Sequence, residues 1–561
     1  MKLRNVVCAA MVCPLALVLV GQGQILGQGQ SRPAAAATTT DIPHLRKQGT
    51  ATQLIVDGKP FLALSGELSN STATSVEYMK AVWPRLVAAR LNTVLAGVSW
   101  NQIEPREGKF DFSVLDGVIQ GARVHSLRLV LLWFGSWKNS TSSYPPDWLK
   151  KDCERFPRAQ SAKGQNIELL SPFSDANRDA DARAFAALMR HVKAVDGQQH
   201  TVIMIQVENE VGMSGDSRDH SAAADKAYAG PVPKELMDYL QQHKATLIPE
   251  FRQAWEAAGS KTSGTWEEVF GPGAATEGIF MAWQYARYMG HVAAAGKAEY
   301  PLPMFANAAL YSPGKGFTPS GGRPWDLVMD VWKAGGPQID ILSPDVYSEP
   351  DFVAFCARYT QSGNPLFIPE TRYQMEARAL YAFGRHDAIG LSLMGVERGE
   401  TPDPEMVRGY KIVAQMAPLI AKHQGDGSMT AVLLRPEDPP QKVQVGNYTL
   451  EVKRLGPRRS SPEPPQGFSG AIFIAVGPDE YYAVGASVSV VFTTNPPGPE
   501  HVGIGTVEEG TFVNGRWIPS RQLAGDETGD GKNLALRTHA ADRIPADDFV
   551  GIQHFTLYRY R

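Results

Sequence analysis

A parallel (β/α)₈ TIM barrel of the α/β class, followed by a C-terminal all-β sandwich-like domain, is the fold this sequence predicts. Three observations lead there. Eight short apolar runs alternate with helix-patterned segments between residues 61 and 397. No Gly-rich dinucleotide fingerprint follows the first run, which favours a closed barrel over an open sheet. After about Ala421 the texture changes to strands separated by Gly/Pro turns.

The first four runs are "FLALSG" from Phe61, "NTVLAGV" from Asn92, "LRLVLLWF" from Leu127 and "TVIMIQV" from Thr201. The next four are "LPMFAN" from Leu302, "IDILSPDVY" from Ile339, "PLFIPE" from Pro365 and "AIGLSLMGVE" from Ala388. Strands covered by helices on one side and a packed interior on the other read as continuous apolar runs, as these do. Segments such as "SVEYMKAVWPRLVAAR", "DARAFAALMRHVKAV" and "EGIFMAWQYARYMG" lie between them with helical spacing; in the last, Ile279, Trp283 and Ala286 share one face. Val211 to Pro233 is a long, mostly polar insertion after strand four, where barrel loops shape active sites. The later strands are "TAVLLR", "YTLEVKRL", "GAIFIAVG", "EYYAVGASVSVVFTT" and "FVGIQHFTLYRYR", with a Pro-rich loop, "GPRRSSPEPPQG", among them. "DETGDG" at Asp526 has acidic spacing but lacks a full calcium loop, and reads as a turn.

The chain has 561 residues, 43% hydrophobic and 20% charged, with a formal net charge of -3, a balance that excludes a basic nucleic-acid binder. At the N-terminus Lys2 and Arg4 precede an apolar run, Val6 to Val20, and then small and polar residues. That pattern reads as a secretory signal peptide, with an uncleaved anchor as the rival reading, and the run is short for a membrane span. The expectations are a signal and linker over 1–37, a barrel over 45–421, a β-rich domain over 422–561, and export to the periplasm or medium. Cys8 and Cys13 leave with the signal, so Cys153 and Cys356 remain, either as one disulfide or as two thiols.

The chemistry is signalled where "TVIMIQVENEVG" runs from an apolar strand into Glu208, Asn209 and Glu210. Acidic groups at the C-terminal end of a barrel strand sit at the catalytic rim, and burying them is costly unless they are paired or used. Glu370 closes strand seven in the same way, in "PLFIPETRY". One such glutamate alone is more often a loop ion-pair residue or a helix cap than a catalyst. Two of them on different strands suit glycoside hydrolysis, one attacking the anomeric carbon and the other donating to the departing oxygen. The twelve histidines show no ligand spacing, so neither metal nor organic cofactor is expected. The rival class is a carbohydrate-binding scaffold that has lost its activity.

In "LIVDGKPFLALSGEL", "LNTVLAGVSWNQIEPREGKFDF", "LVLLWFGSWKN", "MIQVENEVG" and "PLFIPETRY" the chain resembles the bacterial β-galactosidases of glycoside hydrolase family 35, in a branch with a C-terminal β domain of uncharacterised function. The resemblance implies a retaining exo-β-galactosidase with Glu210 as acid/base and Glu370 as nucleophile. It also implies Asn209 on the sugar 2-hydroxyl and Tyr347 hydrogen-bonded to the nucleophile. Two departures stand out: Gly97 falls near a place where the family carries Tyr, and "SWKNSTSS" replaces its segment after strand three. Terminal β-galactosyl groups of plant cell-wall oligosaccharides such as xyloglucan are the leading substrate; β-arabinopyranosides and glucans are alternatives. Trp100, Trp133 and Trp137 are candidate sugar platforms, since a ring face packs on the apolar face of a pyranose, although large aromatics are otherwise core. Trp283 reads as packing. Glu67 can bind a sugar hydroxyl or a neighbouring Arg, and Glu397 is a weaker case with Arg398 beside it.

Overall fold

The computed structural model describes residues 41–561 apart from 312–316, 348–350, 373, 457–466 and 538–550. The expected signal and linker therefore lie outside the described residues. An antiparallel sheet of His44–Gln48, Ala51–Val56 and Lys59–Phe61 comes first. Eight parallel strands then close a barrel in sequence order: Ala63–Glu67, Thr93–Ser99, Arg128–Lys138, Val202–Asn209, Met304–Ala309, Ile341–Val346, Phe367–Thr371 and Gly390–Met394. Each of the eight apolar runs supplies one strand. They are numbered one to eight below.

The lower interior is filled by Ala63, Leu95, Val130, Leu132, Ile203, Met204, Phe305, Ile341, Phe367 and Ile389. Leu54 and Val56 of the antiparallel sheet join the same cluster, so this sheet stoppers the N-terminal end of the barrel. Layered packing of this kind leaves only the C-terminal mouth open to chemistry. The outer helices start where the sequence provides caps: Ser75, Ser174 and Asp403 accept from Tyr78, Asn177 and Met406 backbone N–H groups, opening Val76–Ala88, Asp175–Asp196 and Pro404–His423. The segment after strand four is longer than the insertion expected. It continues through helices Ala222–Ala229, Lys234–Gln242, Pro249–Ala257 and Trp266–Phe270 before the long helix Ala274–Glu299, in which Trp283 is buried.

The C-terminal part is two stacked sheets. One orders Met429–Leu434, Ser469–Ala475, Glu480–Ala486, Ile552–Tyr560, His501–Val513 and Arg516–Leu523; the other orders Gln441–Val445, Tyr448–Arg454, Val488–Thr494 and Asn533–Leu536. Side chains alternate across a strand. Val432, Leu434, Ala471 and Phe473 accordingly face the second sheet, while Ala431, Leu433, Ile472 and Ile474 join the barrel's apolar core. "DETGDG" forms a single 3₁₀ turn, Gly525–Thr528, ended by Gly529 at φ 54°. Cys153 is exposed, Cys356 is buried, and both are free thiols. Among the described residues no helix is long and apolar enough to cross a membrane.

Candidate active site

The end of strand four sets the geometry. Met204 faces the barrel interior, so strict alternation would turn Glu208 inward as well. Glu208 instead adopts φ 60°, and the change of hand sends its side chain outward, toward Asp181 on helix Asp175–Asp196. There its carboxyl oxygens accept from the backbone N–H groups of Ser136 (3.1 Å) and Trp137 (2.7 Å). Gly135 is required beneath it, because a Cβ there would lie 2.5 Å from Glu208 Oε1. Burial first, and then the Asp181 charge, raise the Glu208 carboxyl well above the ordinary range, so Glu208 keeps its proton and donates it to Asp181. The break in alternation also points Asn209 inward, where its Oδ1 accepts from Lys138 Nζ at 2.7 Å. Glu210 follows at φ 44°. Two non-glycine residues at positive φ in three positions are uncommon, and such backbone clusters at functional sites.

Glu210 meets two other carboxylates at the mouth. One carboxylate oxygen each of Glu210, Asp345 (strand six) and Glu370 (strand seven) lies within 4.8 Å of the others. Asn307, from strand five, links all three: its Oδ1 accepts from the Glu210 N–H at 2.9 Å, and its Nδ2 donates to Asp345 Oδ2 at 2.8 Å and to Glu370 Oε1 at 3.5 Å. The Tyr347 hydroxyl donates to the second oxygen of Glu370. These three carboxylates are also the set among the described residues that could hold a metal ion. Asn307 and Tyr347 already present N–H and O–H donors to Asp345 and Glu370.

Electrostatics separates the carboxyls. Burial, and next the Glu370 charge, push Glu210 up to about 7, against the opposing influence of Lys138, a hydrogen bond with Asp345, and Arg323. Asp345 is raised well above the ordinary range by burial and by the Glu370 and Glu210 charges. Arg323, whose guanidinium donates to Ser214 Oγ at 2.9 Å and Ser140 Oγ at 3.3 Å, has its pKa lowered by burial. Both oxygens of Glu370 accept hydrogen bonds. The mouth thus holds one partly buried glutamate poised near neutrality beside another fixed by donors, the division of labour that acid and nucleophile require.

Of the other residues expected at the site, Tyr347 and Asn209 lie at the mouth and the three tryptophans do not. Trp100, Trp133 and Trp137 are fully buried. Their ring N–H groups are held by Glu104 (2.8 Å), Asp181 (2.9 Å) and the Leu170 carbonyl (3.0 Å), and their faces are covered by one another or by Phe185, Tyr285 and Tyr288. No face is left for a sugar, so the platform expectation is corrected: these rings pack the wall behind the site. Glu397 does not pair with Arg398 in the way its neighbour in sequence suggested. Its Oε1 accepts from the Ser69 N–H (3.0 Å) and Thr72 Oγ1 (2.8 Å), while Arg398 Nε donates to Ser69 Oγ at 2.8 Å. Gly97 abuts Phe134, whose ring would lie 2.6 Å from a Cβ there. Lys138, Asn307, Asp345 and Arg323 are the site residues that sequence reasoning missed. The first three carried the same signal as Glu210, a polar residue closing an apolar strand.

A family model described as "Beta-galactosidase", that of glycoside hydrolase family 42, matches residues 74–295. A domain of unknown function (DUF5597) matches residues 406–535. The model that matches is that of family 42 rather than the family 35 of the sequence resemblance; both are families of β-galactosidases. A β-galactosidase of Xanthomonas manihotis is 31% identical over 208 residues, 36% of this chain and 31% of that protein, so the chain spans about a third of that curated relative. Among solved structures, a catalytic mutant of a GH42 β-galactosidase from G. stearothermophilus aligns with a TM-score of 0.46 at 11% identity, covering 89% of this chain and 98% of that one. A β-galactosidase from Bacillus circulans sp. alkalophilus aligns at 0.43 and 16% identity over 64% of this chain and 57% of that one.

Because the Glu370 charge is the second-largest cause of the raised Glu210 value, Glu370→Gln removes it and leaves burial as the main one. Glu210 in the variant then titrates below the value near 7 found with Glu370 in place. Titration of carboxyl-labelled protein by ¹³C NMR reads this directly; an unchanged Glu210 midpoint contradicts the coupling.

Proposed function

We propose that this chain is a retaining exo-β-galactosidase acting through Glu370 as nucleophile and Glu210 as general acid/base. The observation that carries the reading is the approach of their carboxylate oxygens to within 4.8 Å. Retention needs carboxyl groups about 5–5.5 Å apart, whereas inversion needs about 6.5–9.5 Å to seat a water between them. Glu370 attacks the anomeric carbon as Glu210 gives its proton to the glycosidic oxygen and the aglycone leaves. Glu210, now ionised, takes a proton from water, which attacks the same carbon and releases Glu370. The Tyr347 hydroxyl orients the nucleophile, and Asn209, held by Lys138, offers its amide Nδ2, which has no protein partner, to a sugar hydroxyl. The family match over residues 74–295 and the Xanthomonas relative support β-galactosides as the substrate class.

The same proposal extends to terminal β-galactosyl residues on plant cell-wall oligosaccharides, xyloglucan first, processed outside the cytoplasm. The signal-peptide pattern before residue 37 supports that location. The buried tryptophans form no cleft beyond the terminal sugar. An open cleft on the rim between strands eight and one, lined by Asn70, Ser71, Tyr78, Arg85, Glu397 and Arg398, gives a larger substrate room instead.

Four outcomes are expected. In a panel of aryl glycosides the β-galactoside is the best substrate, and NMR of the reaction shows the β-anomer of the product first; α-anomer first means inversion and removes the mechanism. Glu210→Gln slows substrates with poor leaving groups far more than activated aryl galactosides. In the wild type kcat/KM falls as pH rises through about 7, where Glu210 loses the proton the first step needs; persistence of that limb in Glu210→Gln, with chemistry still limiting, contradicts the assignment. Finally, kcat/KM for galactosylated xyloglucan fragments exceeds that for lactose, because contacts to the oligosaccharide backbone contribute at the transition state. A preference for lactose removes xyloglucan and leaves β-galactoside hydrolysis standing.

A further inference from the structure

Glu67 closes strand one and is fully buried, yet neither of its carboxyl oxygens has a hydrogen-bond partner. Its backbone is fixed, since its carbonyl accepts from the N–H groups of Gly395 (2.8 Å) and Val396 (3.2 Å). Alternation places it inside the barrel: Ala63 belongs to the interior cluster, and Ser65, two residues on, bonds Ser392 Oγ of the adjacent strand eight at 2.6 Å. Glu67 is next on that face, at the level of the mouth. The charged groups acting on it are Glu370, Lys138, Glu210 and Glu397, three of them carboxylates and none hydrogen-bonded to it. The Arg partner that sequence reading allowed is absent among these.

A buried carboxyl kept for structural reasons has its hydrogen bonds made inside the protein, because leaving them unmade destabilises the fold. Glu67 has none, and it stands at the inner end of strand one within reach of the charges of Glu210 and Glu370. Strand one lies between strands eight and two, across the ring from strands four and five. A pyranose with C1 between Glu210 and Glu370 and its 2-hydroxyl toward Asn209 extends its C4–C6 edge away from strand four, toward strands eight and one.

We propose that Glu67 is a specificity-determining residue that hydrogen-bonds the hydroxyl groups on the C4–C6 edge of the terminal sugar. This rests on the retaining-glycosidase reading above. With two oxygens free it can engage two hydroxyls at once, as a galactosyl unit offers on C4 and C6. A sugar lacking one leaves a buried carboxyl oxygen unmatched, which is how a polar pocket rejects a deoxy analogue. Glu397, with Oε1 taken by Ser69 and Thr72 and Oε2 without a partner, stands beside it on strand eight's side of the same edge.

The test measures kcat/KM for wild type, Glu67→Gln and Glu67→Ala on 4-nitrophenyl β-D-galactopyranoside and its 2-deoxy, 4-deoxy and 6-deoxy analogues. In the wild type, loss of the 4- or 6-hydroxyl lowers kcat/KM roughly ten- to hundredfold. In Glu67→Ala that penalty shrinks toward unity for the hydroxyl Glu67 holds, while the 2-deoxy penalty is unchanged. Glu67→Gln, which keeps the side chain's volume, also melts at or above the wild-type temperature, because a buried carboxyl among the carboxylates of Glu370, Glu210 and Glu397 has been removed. Equal losses on all four substrates, unchanged kinetics, or a lower Tm in Glu67→Gln overturn the proposal. If the wild type is active and only these patterns fail, the fault lies with Glu67; if the wild type hydrolyses no β-galactoside, the underlying functional reading falls first.

Discussion

Like charges brought together in a low-dielectric mouth are the constraint on which the rest of this structure depends. Glu210, Asp345 and Glu370 approach within 4.8 Å, and the charges of Glu210 and Glu370 also act on buried Glu67. Carboxylates at such distances cannot all ionise, so some must keep protons, and the surrounding donors decide which. Asn307 is central to that decision. A single amide fixes the Glu210 backbone with its oxygen and reaches Asp345 and Glu370 with its nitrogen, so the spacing of three strands is set by one side chain. Tyr347 adds a donor to Glu370, and Lys138 and Arg323 bring positive charge toward Glu210. Glu210 is left with burial and a negative neighbour as its dominant influences, which is why it sits near neutrality.

A second carboxyl pair supports the first from behind the barrel wall. Glu208 and Asp181 share a proton, and around them Ser136 donates to Asp181 Oδ2 from its hydroxyl (2.6 Å) and contacts Tyr288, while Trp133 donates to Oδ1. This network ties the end of strand three to the end of strand four and to a long helix outside. It holds the left-handed turn at Glu208 through which Asn209 and Glu210 reach the interior. The conformational cost of two positive-φ residues, on the order of 1–3 kcal/mol each, is offset by satisfied buried hydrogen bonds.

The sequence made the barrel legible because all eight strands are buried on both sides and so carry continuous apolar runs, and because Glu210 and Glu370 interrupt two of those runs at their ends. The same rule applied to "MFANAA" and "ILSPDV" points to Asn307 and Asp345, residues that attention to glutamate pairs passed over. The tryptophans were misread for a physical reason. Proximity to a strand end in sequence says nothing about which side of the strand a ring takes, and Trp133 and Trp137 go outward to pack against helices. Of the C-terminal strands, Arg516–Leu523 is mostly exposed and lacks apolar alternation, so composition gave no sign of it. Glu67 was ambiguous in sequence because a sugar hydroxyl and an arginine make the same demand on a carboxylate; only the missing arginine separates them.

The C-terminal sheets are bound up with the nucleophile more closely than a domain boundary near residue 421 suggests. Helix Met375–His386 begins five residues after Glu370, and every residue from Met375 to Gly384 is buried. A helix buried on all sides, Glu376 and Arg378 included, must be enclosed on all sides. The barrel covers one face, and Ile472 and Ala431 of the six-stranded sheet cover another, so closely that a Cβ on Gly384 would lie 2.6 Å from Ile472 Cγ1. At the start of this helix the Phe468 N–H donates to Gln374 Oε1 at 2.8 Å, and Arg378 donates to Thr371 Oγ1 and to the Arg372 carbonyl, the two residues that follow Glu370. Without the sheets this helix would expose an apolar face, and the segment that positions Glu370 would lose its support on one side. The β domain is therefore part of what fixes the nucleophile, whatever else its outer surface does.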